Sequence, residues 1–177
     1  NIEKISWKLN KIEIFTDNLK NEKLLNFENP GYELFSIVKN YHLFKILEKS
    51  LSQNKFFTRV NKSEIKSILN NYDLVINTDY SNSISKKYFN RKITKKYNSA
   101  AYTTTLQHDV IDNKTAIQVF TKRGPLAFLP ISKNETSIVY SLHDNSNVKK
   151  NENIEELIRH YNFKYNIKKI GKIASFE

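Results

Sequence analysis

The 177-residue chain has no cysteine, no methionine, three glycines, three prolines and a single tryptophan. Without cysteine it can form no disulfide, no thiolate metal site and no cysteine nucleophile. With no methionine even at position 1, the native start is expected upstream, so the chain is expected to be a piece of something longer. No apolar run approaches the roughly 18–20 residues of a membrane-spanning helix, and no signal-peptide pattern opens the sequence. The G-x-S-x-G elbow of serine hydrolases is missing. The four histidines, His42, His108, His143 and His160, are not paired at metal-ligand spacing and no carboxylate cluster joins them. Asp109 and Asp112 lie near His108, but a polar hairpin loop between two strands accounts for them without acid–base chemistry.

Hydrophobic residues make up 39% and aromatics 12% of the chain, enough for a real core and against global disorder. The formal charge is +11, from 29 basic and 18 acidic residues. Such a balance attracts polyanions, either nucleic acid or an anionic membrane surface. The lysines are scattered in short clusters (86–87, 95–96, 149–150), and no nucleic-acid-binding motif accompanies them, so no specific nucleic acid is expected. The abundance of Lys, Asn, Ile and Tyr matches an AT-biased coding sequence, which also drains glycine and arginine.

Along the chain, residues 9–16 and 24–27 read as partner strands, Pro30-Gly31 as a turn, and 34–38 as a third short apolar run. Leu43, Leu47 and Leu51 recur at helical spacing, which predicts a helix over 42–52. Residues 55–60 read as a strand, and Ser63 as the cap of a short helix through Leu69. Residues 73–76 read as a compact strand delivering the chain to Asn77-Thr78-Asp79, with a short helix over 82–89. Residues 97–142 form the main sheet region. Residues 144–153 read as a polar loop, and Asn153 and Glu156 as a capping pattern for a helix carrying Ile154, Leu157, Ile158 and Tyr161 on one stripe. Both helical stripes are expected to pack into the core. The pattern predicts an α+β fold with a mixed or antiparallel sheet and flanking helices.

Turn residues are concentrated at one place, Gly124-Pro125-Leu126-Ala127-Phe128-Leu129-Pro130, between apolar runs rich in β-forming residues. Before it stands Ala116-Ile117-Gln118-Val119-Phe120, and after it Ser137-Ile138-Val139-Tyr140-Ser141. This order resembles the FAD-dependent aromatic hydroxylases of ubiquinone biosynthesis, a branch of the class A flavoprotein monooxygenases, whose pattern is A-x-Q-x-F, G-P-L-A-x-L-P and S-I-V-W-S. The likeness extends outward. Trp7, then Leu34-Phe35-Ser36-Ile37-Val38-Lys39-Asn40 and Leu43, is similar to the family's W…G-x-I-V-E-N-x-x-L, with Lys39 at the acidic position and Phe35 at the small one. Residues 73–83 are similar to its strand and D-G-A-N-S motif, with Tyr80 where the family has glycine and Lys86 where it commonly has arginine. Residues 170–176 are similar to the stretch before its second FAD motif.

The resemblance implies the substrate-binding domain of such an enzyme with a returning FAD-domain segment at about 40–92; the N-terminal G-x-G-x-x-G and C-terminal G-D regions are absent from the chain. It implies hydroxylation of a polyprenylated phenol, with FAD as cofactor and NAD(P)H as reductant in the full-length parent, and no flavin held by this chain alone. It assigns Asn40, Asp79, Asn82 and Ser83 to the cofactor side and Gln118, Phe120, Leu126, Phe128 and Pro130 to the ring pocket, with no side chain as general acid or base. For Asp79, Asn82 and Ser83, an Asx-type turn that closes a strand and caps the next helix is an equal reading. A cytoplasmic protein touching the membrane peripherally is expected, because the substrate resides in a bilayer. The alternative is a degenerate, non-enzymatic domain that binds a lipid quinone precursor or a protein partner. In β geometry, Ala116, Gln118 and Phe120 lie opposite Ile117, Val119 and Thr121, and periodicity alone permits either set to face a ligand.

Overall fold

A computed structural model of the chain describes residues 2–17, 22–61, 63–89, 93, 95, 99–143 and 153–176. The expected polar loop at 144–153 lies outside the described residues except for Asn153. Two compact units form, one from residues 1–47 and 97–177, the other from residues 48–96.

The first unit is built on a mixed sheet. Its strands are β2 (Lys11–Thr16), β3 (Lys23–Glu28), β5 (Ser99–His108), β6 (Thr115–Thr121), β7 (Gly124–Pro130), β8 (Glu135–His143), β9 (Ile167–Ile170) and β10 (Ala174–Phe176). The order is β10-β5-β8-β7-β6-β2-β3, and β9 also pairs with β5. All pairings are antiparallel except β2 with β6. A separate two-stranded ribbon joins β1 (Ser6–Leu9) to β4 (Phe35–Val38).

The alternation seen in the sequence becomes two faces. Leu106, Ile117, Val119, Leu126, Phe128, Ile138, Tyr140 and Leu142 are buried on one face with Phe15, Tyr165 and Ile158. Ile158 belongs to α4 (Ile154–Tyr161), whose remaining apolar residues Ile154, Leu157 and Tyr161 pack on the same cluster. The α4 cap forms: Asn153 Oδ1 accepts from the Glu155 amide at 3.0 Å, and Asn153 Nδ2 donates to Glu156 Oε1 at 3.0 Å. Each large apolar side chain so buried contributes about 1.5–3 kcal/mol.

Gly124 makes close strand packing feasible. Its φ is +141°, and a β-carbon there would sit 2.0 Å from the carbonyl oxygen of Ser141. The two-residue link Lys122-Arg123 returns the chain tightly, with the Thr121 hydroxyl donating to Gly124 O at 2.8 Å.

One end of the core holds a buried polar network. Asn113 is fully buried; its Nδ2 donates to Ser132 O at 2.9 Å and to Thr136 Oγ1 at 3.0 Å, and its Oδ1 accepts from the Tyr165 hydroxyl at 3.1 Å. Trp7 Nε1 donates to Asn113 O at 2.6 Å, and His108 Nε2 lies 2.9 Å from Thr136 Oγ1. Burial pushes the Tyr165 hydroxyl up to about 12, so it remains a proton donor throughout the neutral range. His108, Asp109 and Asp112 are therefore not in a hairpin loop as expected. Residues 109–114 cross from β5 past β8 and β7 to reach β6, and His108 is buried at the crossing.

Helix α1 runs from Asn40 to Ser52 and buries no residue; of its stripe Leu47 and Leu51 are exposed and Leu43 is half-buried, so the stripe is not buried in the core as expected. Residues 55–60 form turns and irregular backbone rather than a strand. Residues 73–76 are without a strand partner, and Leu74 and Ile76 are exposed. Glu64, not Ser63, occupies the N-cap of α2 (Ile65–Ile68), without a side-chain cap bond. Neither 55–60 nor 73–76 has a neighbouring strand among the described residues to complete a ladder. Among the described residues of the second unit only Ser85 is buried.

Candidate functional site

The sheet face opposite the core is uncharged over most of its width. In β5–β8 it presents Ala101, Thr103, Thr105 and Gln107; Ala116, Gln118 and Phe120; Pro125, Ala127 and Leu129; and Ser137, Val139 and Ser141. The registers align these in rows: Gln118 opposite Ala127, Ala127 opposite Val139, Val139 opposite Thr103. On this face Ile14 continues the Gln118 row into β2. Small side chains in cross-strand register leave a shallow, flat surface on which a ring can lie against the sheet.

At one end of this face lies a groove of about 520 Å³, within the range of small-molecule sites. The sheet supplies Thr105, Gln107, Leu129, Glu135, Ser137 and Lys169; Ile37 and Val38 of β4, followed by Lys39 and Asn40, form the opposing wall. Apolar Ile37, Val38, Leu129 and Ile131 thus face hydroxyl and amide groups. Lys39 Nζ reaches Glu135 Oε2 at 2.7 Å, joining the wall to the sheet. The groove offers hydrogen bonding, apolar contact and charge, but no histidine or cysteine to act as base or nucleophile.

The expected ring-pocket residues divide between the faces. Gln118 and Phe120 lie on the open face, Phe120 being 44% exposed. Leu126, Phe128 and Pro130 are buried on the core side, where Phe128 stacks on Tyr165 with ring centroids 5.9 Å apart. The five therefore do not line one pocket: Leu126, Phe128 and Pro130 alternate with Ala127 and Leu129, which occupy the open face.

The expected cofactor-side residues fall in two units. Asn40, the first residue of α1, is exposed and lines the groove. Asp79, Asn82 and Ser83 belong to the second unit. There Asp79 Oδ1 accepts from the Ser81 amide at 2.8 Å and hydroxyl at 2.7 Å. Asn82 Oδ1 accepts from the Ser85 amide at 2.9 Å, capping α3 (Ser83–Tyr88). Asn77 links the two, accepting from Asn82 Nδ2 at 2.7 Å and donating to Asp79 O at 3.0 Å. The segment is thus an Asx turn followed by a capped helix. Ser83 is exposed, and the Tyr80 side chain is 76% exposed.

Sequence reasoning missed Thr105, Leu129, Ser137 and Lys169. The period-two alternation through Gln118 and Ser137 was the available signal, but it does not say which face a wall of β4 will partly cover. Ser85 was missed as well, although the Asn82-x-x-Ser85 spacing is that of a helix cap. Among the described residues, no group of three or more metal-ligating side chains occurs, and no helix is long and apolar enough to cross a membrane. No protein-family model and no curated protein matches the chain.

Proposed function

We propose that this chain is the substrate-side portion of a flavin-dependent monooxygenase that hydroxylates a polyprenylated phenol. The observation that carries the reading is the largely uncharged open face of β5–β8 ending in the groove beside Asn40. The ordered motif resemblance from Trp7 to Phe176 supplies the reaction class. FAD with NAD(P)H would supply the oxygen-activating chemistry in the parent enzyme. The side chains here do not form a cradle for it: Oδ1 of Asp79 is engaged in the turn and Oδ1 of Asn82 in the cap, and Tyr80 stands where a glycine would permit close approach. This chain's own contribution is to bind, orient and shield the ring. A substrate resident in a bilayer also makes an anionic membrane surface part of the proposal, supported by the +11 charge.

A second reading, a non-enzymatic domain binding a lipid quinone precursor, is favoured by that same commitment of Asp79 and Asn82 to local structure. Binding and turnover separate the two. Titration of the chain with a short-chain prenylphenol, followed by Trp7 fluorescence, is expected to show saturable binding. Gln118→Lys, which puts a charge on the open face, is expected to weaken it at least tenfold with an unchanged melting temperature. Unaltered affinity would remove the open face from the site under either reading. Hydroxylated product from the full-length parent supports the enzyme; binding without product supports the second reading.

A further inference from the structure

We infer that the groove beside Asn40 selects a ligand carrying one anionic substituent, a ring carboxylate, and that Lys169 is the specificity-determining residue. This rests on the reading of the groove as a ring site and adds the charge of its ligand.

On the open face of β5–β8 the one acidic or basic side chain besides the imidazole of His143 is Glu135. Charge in the groove itself is confined to Glu135, Lys39 and Lys169. Glu135, Gln107 and Lys169 form one cross-strand row, since Gln107 is opposite both Glu135 in β8 and Lys169 in β9. Glu135 is satisfied by Lys39 at 2.7 Å, and Gln107 brings no charge. Lys169 has no ion-pair partner among the described residues, whereas its neighbour Lys168, on the opposite face of β9, pairs with Asp109 at 2.5 Å. Among the described residues the groove thus carries one uncompensated positive charge, on the sheet side with Leu129 and across from Ile37 and Val38 of β4, with Ile131 also in the lining. A single cation beside an apolar slot is complementary to an amphipathic monoanion: the carboxylate goes to the ammonium and the ring or alkyl body to the aliphatic side chains. Because the Lys169 ammonium is exposed, salt screens the attraction.

The intact chain is titrated with 4-butylbenzoate and with its neutral isostere 4-butylbenzamide. Trp7, which is opposite Ile37 of the groove wall, serves as the fluorescent reporter. The benzoate is expected to bind at least fivefold tighter at low ionic strength, an advantage that shrinks at 0.5 M salt, on the order of a Debye length shorter than 5 Å. Lys169→Gln is expected to abolish the advantage, Lys169→Arg to retain it, and Lys168→Gln to leave it intact, each with an unchanged circular dichroism spectrum. Equal affinity for the two probes overturns the charge assignment and leaves the ring site standing. Equal losses in the Lys168 and Lys169 variants overturn Lys169 as the determinant. Binding of neither probe overturns the inference together with the reading on which it rests.

Discussion

At the scale of single residues, backbone geometry separates glycines that are otherwise alike in the sequence. Gly31 has φ +84° with nothing within 4 Å of an added β-carbon, so Gly31→Ala meets only the left-handed backbone penalty, roughly 1–2 kcal/mol. Gly124 meets strain and a hard clash, because the obstructing atom is a backbone oxygen of the neighbouring strand. Gly124→Ala is expected to cost roughly 3 kcal/mol or more. Urea denaturation of both variants tests the ranking, and equal midpoints would show that β7 and β8 separate freely. The same contrast applies to side chains. Phe128 and Phe120 are two strand positions of one residue type, yet one is in the core and the other on the open face.

At the scale of elements, two amphipathic helices behave differently. In α4, Ile158 is buried against the sheet, and Glu155 and Arg159 pair along the outer face at 2.8 Å. In α1 no residue is buried: Leu47 and Leu51 are exposed and Leu43 is half-buried. Ile158→Ala is expected to destabilise by about 2–5 kcal/mol, and Leu47→Ala by less than about 1 kcal/mol. Thermal or denaturant melts of the two variants give the comparison; a Leu47 penalty as large as that of Ile158 would mean that α1 is covered in solution. At the edge of the sheet, β9 and β10 align along β5 on either side of Gly171, whose amide donates to Thr105 O at 2.9 Å. The sequence pattern predicts no strand there, since a four-residue segment with two central lysines and a three-residue segment show little alternation.

At the scale of the whole molecule, stability is distributed unevenly between the two units. The first buries a continuous cluster from Phe15 to Tyr165. In the second, Phe56, Leu74, Ile76 and Phe89 are exposed, and Ser85 alone among its described residues is buried. Hydrogen exchange is expected to show amides of the central β7 and β8 protected by at least a hundredfold more than those of α2 and α3, because few buried contacts hold the latter closed. Comparable protection across both units would sink this expectation and imply that the second unit has a core of its own.

Local chemistry is enough to fix the period-two alternation of β6–β8, the Asn153 cap, the helix that Asn82 begins and the turn at Pro30-Gly31. Each depends on residues within a few positions of one another. The tertiary structure decided what depends on distant neighbours. Residues 55–60 and 73–76 have strand-like composition, but a strand exists only where another supplies its hydrogen bonds. Residues 109–114 look like a hairpin link until β8, some thirty residues later, takes the place beside β5. Alternation defines two faces of β7 symmetrically; α4 covers one of them, which places Phe128 inside and Ala127 outside. The groove joins Asn40 to Thr105, Ser137 and Lys169 across more than a hundred residues of chain, so no local pattern could have assembled it.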